Sequence, residues 1–100
     1  METKKVYIIN KSCHDFSPAS QFGELVFLSE GSLNRFGTAE MHRRFIHGLK
    51  NSSSNDYILI SGMAIMSSIA CAIFAIKHNR LNLLLWKSDK KEYAERIVIL

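Results

Sequence analysis

Apolar residues in this chain come in short runs separated by polar turns, and one longer run breaks that rhythm. Between Asp56 and Lys87, a short apolar run (Tyr57 to Ile60), a Ser61-Gly62 turn, an almost wholly apolar stretch (Met63 to Ile76) and a second short run (Leu83 to Trp86) follow one another. Two brief apolar segments flanking a longer one predict a strand-helix-strand crossover, with parallel strands buried on both faces. The fold class is therefore α/β.

The remaining elements follow from the same patterning. Val6 to Asn10 is β-branched and aromatic between polar flanks and predicts a first strand. Ser17-Pro18 predicts a brief helix with the serine as its cap, ended by Gly23. Glu24 to Ser29 carries Leu-Val-Phe-Leu and predicts a second strand, closed by Glu30-Gly31-Ser32. From Thr38 as cap to about Lys50, Met41, Phe45 and Leu49 recur every four residues with Ile46 beside them, which predicts an amphipathic helix exposing Arg43, Arg44 and His47. Asn79 suits a left-handed helix end, after which Leu81 to Lys87 forms a fourth strand. The short turn Ser88 to Lys91 demands that Tyr93 to Leu100 return antiparallel. The expected order is β-α-β-α-β-α-β-β: a single small, Rossmann-like domain with a mainly parallel sheet and a C-terminal antiparallel hairpin.

One hundred residues leave room for one domain. The Met63 to Ile76 run would span about 21 Å as a helix, short of a bilayer core of ~30 Å, so no membrane span is expected. Met1-Glu2-Thr3-Lys4-Lys5 leads into a strand rather than a signal-peptide core, which predicts a cytoplasmic protein. Cys13 and Cys71 have no framework spacing and are expected as free thiols. A net charge of +4, spread along the chain, mildly favours anionic partners.

Polar residues cluster where strands should end. Asn10, Lys11 and Ser12, followed by His14 and Asp15, come after the first strand; Ser29 and Glu30, with Asn34 and Arg35, come after the second; Ser61 and Gly62 come after the third. Carboxyl ends of parallel strands are where α/β sheets bind ligands, so Lys11, Arg35 and the helix start after Gly62 form a candidate anion rim. His14 could act as a general acid or base with Asp15 orienting it, although Asp15 could equally cap the adjoining turn. His78, at a helix carboxyl end, is placed where positive charge is favourable. Four scattered histidines and two distant cysteines give no metal-ligand spacing, and no cofactor is expected. The Walker, dinucleotide and hydrolase-elbow motifs are absent. Duplex nucleic acid is not expected, because Phe45 beside Arg43-Arg44 belongs to the apolar stripe and cannot stack a base. The helix from Met63 to Ile76 is apolar nearly all round. Ile65, Ile69, Ala72 and Ile76 on its outer side call for a second helix or a partner, which predicts a homodimer or larger assembly through part of that helix or through the edge strand Tyr93 to Leu100.

Lys5 to Ser12, Phe22 to Gly31 and Arg80 to Lys87 resemble small bacteriophage-encoded α/β proteins of unassigned activity. The resemblance covers most of the chain and implies an accessory protein acting in the cytoplasm of an infected bacterium, for instance by countering a host defence. It carries over no site residue. Together these features point to a non-enzymatic binding protein that recognises a host protein or an anionic, nucleotide-like ligand. The alternative is a small phosphodiesterase or nuclease-like enzyme, with His14 and Asp15 as its acid-base pair and Lys11 and Arg35 steadying phosphate charge. A structural virion component is the third reading.

Overall fold

The computed structural model describes residues 3–100; Met1 and Glu2, the start of the polar lead-in, lie outside the described residues. Five strands, β1 (Lys5–Ile8), β2 (Glu24–Phe27), β3 (Tyr57–Leu59), β4 (Arg80–Lys87) and β5 (Glu92–Ile99), form one sheet in the order β2-β1-β3-β4-β5. All neighbouring pairs are parallel except β4 with β5. Two α-helices, α1 (Thr38–Gly48) and α2 (Ala64–His78), and a 3-10 helix at Ser17–Phe22 make the crossovers.

Strand order fixes which face each crossover covers. The chain leaves β1 for β2 on one side, then returns past β1 to β3 and on to β4, and right-handed connections put crossovers in opposite directions on opposite faces. Alternation along the strands sorts the core accordingly. Tyr7, Ile9 and Ile58 face α1 and α2, packing with Met41, Phe45, Leu49, Met66, Ala70 and Phe74. Val6, Ile8, Tyr57, Leu59 and Leu84 face the other way, under Phe16, Ala19 and Tyr93. One face thus carries two full helices, and the other only a 3-10 helix. Burying a side chain such as Phe74 contributes on the order of 1.5–3 kcal/mol, so most of the stabilisation lies on the helical face.

Several local expectations need correcting. Thr38 is the first residue of α1, not its cap; the cap position is Gly37, with no side chain bonding the free amides. Ser17 likewise begins the 3-10 helix, and the Asp15 carboxylate accepts its amide at 2.9 Å, so Asp15 and not Ser17 does the capping. Ile46 stands half-exposed beside the buried Met41, Phe45 and Leu49. On α2, Ile65 and Ile69 pack against the core beside α1, whereas Ala72 and Ile76 are exposed. The His78 ring lies 4.5 Å from Phe74 and its Nε2 sits 2.8 Å from the Ser52 hydroxyl. Burial, with the Lys77 charge beside it, pulls its pKa below the ordinary histidine value, so neutral imidazole is favoured there despite the helix end. Asn79 does adopt the left-handed conformation at the end of α2. Cys13 and Cys71 are free thiols. Among the described residues, no helix is long and apolar enough to cross a membrane.

Candidate functional site

β1 and β3 lie side by side, but the chain leaves them in opposite directions, which makes the gap beyond their carboxyl ends the switch point of this sheet. A cavity of about 310 Å³ opens on the 3-10 side of that gap. Its floor is the end of β3, where Leu59 and Ser61 alternate onto this face and Gly62 follows. One wall is the loop after β1, with Ser12, His14, Asp15 and Phe16; the other is the hairpin, with Trp86 and Tyr93.

The hairpin register explains the aromatic wall. Trp86 and Tyr93 are directly paired across β4 and β5, so both project from the same face, with ring centroids 4.9 Å apart and planes at 60°. Tyr93 is buried, while Trp86 remains 47% exposed. Burial, and then the Asp15 carboxylate, raise the Tyr93 phenol above its ordinary pKa, keeping the hydroxyl protonated.

Most polar residues at this end are engaged by their own loops. Ser29 Oγ lies 2.7 Å from the Ile9 carbonyl and 3.0 Å from Asn10 Oδ1, and the Asn10 amide donates to the Gly31 carbonyl, so these residues tie the ends of β1 and β2 together. Lys11 and Glu30 extend that tie as a parallel bridge. Asn34 Oδ1 accepts the Phe36 amide and shapes the turn into α1. Ser12 Oγ accepts the His14 amide at 3.4 Å. The Asp15 carboxylate, held below the usual range by the amide and hydroxyl of Ser17, is turned toward that cap, and the His14 ring packs edge-on to Phe16.

Ser61 differs. Its hydroxyl is buried and, among the described residues, has no hydrogen-bond partner. Leaving such a group unmade costs about 1–3 kcal/mol, and Ser61 is among the residues at the floor of the cavity. Gly62 follows with φ +75°, a left-handed conformation that disfavours other residues. The turn delivers the chain to Met63, the cap of α2, which has no side-chain cap bond. Met66 and Ser67 amides bond back to the Met63 carbonyl, whereas the amides ahead of them have no partner within the helix.

A second cavity, of about 620 Å³, flanks the same helix start on the helical side of the sheet, lined by Arg35, Phe36, Thr38, Met63, Ala64 and Ile65. Phe36 is 82% exposed with the Arg35 guanidinium 5.6 Å from its ring centre. Lys11 lies elsewhere, its Nζ 5.5 Å from the centre of the Phe27 ring. The expected rim of Lys11, Arg35 and Ser61-Gly62 is thus divided: Ser61 and Gly62 share a cavity with His14 and Asp15, and Arg35 lines the neighbouring one. Phe16, Trp86 and Tyr93 went unnoticed in the sequence, although the hairpin register alone pairs Trp86 with Tyr93. Among the described residues, no group of three or more His, Cys, Asp or Glu side chains could hold a metal.

No curated protein and no solved structure matches this chain. A family model described as phage Pam3 gp32-like protein does match, over residues 4–99, which is nearly the whole chain and includes every wall of the cavity. The chain belongs to the phage Pam3 gp32-like protein family.

Proposed function

We propose that this phage protein binds an anionic, nucleotide-like ligand at the switch-point cavity without transforming it. The unpartnered Ser61 hydroxyl at the cavity floor carries the reading. A planar base laid against the half-exposed Trp86 would gain roughly 1–3 kcal/mol from stacking, and the protonated Tyr93 hydroxyl and Ser61 offer polar contacts to its edge. A phosphate belongs at the Gly62 turn, where the cavity comes nearest the start of α2 and the helix dipole favours negative charge, although Met63, Ala64 and Ile65 themselves line the neighbouring cavity. Asp15 keeps the phosphate from the opposite wall by like charge and suits a sugar hydroxyl instead. Binding is favoured over hydrolysis because the Asp15 carboxylate serves its cap and does not hold His14. Sequestering a nucleotide-like host signal, and so countering a defence, is the accessory role this chemistry fits.

Trp86 is the only tryptophan, so its fluorescence reports on the cavity alone. Titration with nucleoside monophosphates, cyclic and dinucleotides should give saturable quenching, with nucleosides weaker and inorganic phosphate silent. Ser61→Ala should weaken binding about 2- to 10-fold, in line with one hydrogen bond. Emission indifferent to the whole panel would dismiss the reading. Turnover of any of these compounds that His14→Ala lacks would replace it with the enzyme.

A further inference from the structure

β5 forms one edge of the sheet, and among the described residues no strand pairs with its outer side. The opposite edge, β2, is four residues long, whereas β5 runs for eight and ends in Ile97, Val98 and Ile99, which with the following Leu100 are all exposed. A long edge that ends in an apolar run, without proline or bulge, is a template for another strand.

The ladder to β4 shows which backbone groups are free. Leu100 donates its amide to Asn79, and in an antiparallel pair the residues that bond across alternate. With the register Leu81 to Val98 and Leu83 to Arg96, the even-numbered residues of β5 face β4. Tyr93, Glu95, Ile97 and Ile99 therefore turn their N–H and C=O groups outward. The Arg96 guanidinium reaches the Glu95 carbonyl at 2.7 Å, partly covering that outward row.

We infer that β5 pairs antiparallel with β5 of a second copy about a two-fold axis through Ile97, joining two sheets into one of ten strands. Such an axis stands perpendicular to the sheet, so facing residues share a face and each register has a single self-paired residue. An axis at Glu95 sets carboxylate against carboxylate, and one at Arg96 sets guanidinium against guanidinium. Like charges directly opposite are destabilising. An axis at Val98 leaves only Ile97 and Ile99 bonded across. Once the Arg96 guanidinium swings off the Glu95 carbonyl, the axis at Ile97 gives three bonded pairs: Ile97 with the partner's Ile97, Glu95 with the partner's Ile99, and Ile99 with the partner's Glu95. On the helical face, Val98 then lies against the aliphatic stem of the partner's Arg96, and Leu100 against the partner's Ala94. Glu95 loses nothing by facing an isoleucine, because its carboxylate already takes the Tyr57 hydroxyl within its own chain. A self-complementary row of this kind fits a second copy better than an unrelated strand. The inference is independent of the ligand reading.

Sedimentation of the wild type should show a concentration-dependent species of twice the 11.4 kDa chain mass. Ile97→Lys and Ile97→Glu each place like charges on the axis and should raise the dissociation constant about tenfold or more, while an equimolar mixture of the two should restore the dimer. A wild type that stays at 11.4 kDa at every concentration overturns the inference, as does a dimer that persists in both variants. Should the variants not fold, hydrogen exchange on the wild type decides. Concentration-dependent protection of the Glu95, Ile97 and Ile99 amides supports the pairing, and exchange at the same rate at all concentrations excludes it.

Discussion

The two ends of the sheet differ in one buried polar group. At the amino end, Asp56 is buried and accepts the amides of Lys5 at 2.9 Å and Ser53 at 2.8 Å. Asn82, also buried, donates to the carbonyls of Ser54 and Asp56 and accepts from Arg80 Nε. Each group there is bonded to another part of the fold, across separations of up to 51 residues. At the carboxyl end, the Ser61 hydroxyl has no partner among the described residues, α2 starts without a side-chain cap, and two cavities flank that start. Buried polar groups satisfied by distant backbone hold the chain in register, and those left unsatisfied beside an opening are available to a ligand.

Breaking the amino end should have the largest effect on stability. Asp56→Ala strands two amides and should cost about 2–4 kcal/mol in urea unfolding, with little change in ligand affinity beyond the loss of folded protein. At the carboxyl end the balance reverses. Trp86→Leu, at a half-exposed position, should leave the unfolding midpoint nearly unchanged and weaken ligand binding by about 1–3 kcal/mol, measured by calorimetry because the fluorophore is gone. Gly62→Ala touches both properties. The space around its Cβ is ordinary, but φ +75° is not, so the change should cost about 1–2 kcal/mol of stability and loosen the helix start proposed to receive the phosphate.

The Tyr57 to Glu95 bond sharpens the same contrast by pH. Burial, followed by the bond to Glu95, pushes the Tyr57 phenol up to about 12, above its ordinary 10.0. The folded state therefore holds this proton more tightly than the unfolded chain. Its stabilising contribution is complete below pH 10 and fades as pH rises toward 12, and Tyr57→Phe should flatten that part of the alkaline unfolding curve. The smallest effect belongs to Arg43 and Arg44. Both guanidinia pair with Glu40 on the exposed face of α1, at 3.1 and 3.7 Å, and replacing both by alanine should change stability by less than about 1 kcal/mol and ligand affinity hardly at all.

The architecture was legible because it rests on periodicity. Met41, Phe45 and Leu49 recur at the helical spacing, and the apolar run between Ser61 and Trp86 has few other ways to fold. Caps were less so: Gly37 offers no side chain to read, and Asp15 and Ser17 are close enough in sequence that either could take the role. The candidate site was legible only by its address. Residue type marked Asn10, Ser29 and Asn34 as polar and near the strand ends, but not that Asn10 and Ser29 tie two strand ends together and Asn34 shapes its own turn. Lys11 and Arg35 fell on different sides of the sheet end because the two loops leave it over opposite faces, which depends on strand order. Nothing local distinguishes Trp86, whose ring stays half exposed, from Tyr93, which is buried in the core beside it.

The most direct test of the account is a nucleotide titration of isotope-labelled protein followed by amide and indole NMR shifts. The account predicts saturable shifts at the Gly62, Met63 and Ala64 amides and at the Trp86 indole, with Asp56, Asn82 and the α1 surface unmoved. Shifts confined to Arg43, Arg44 and their neighbours, or none at the Gly62 turn at saturating nucleotide, would contradict it.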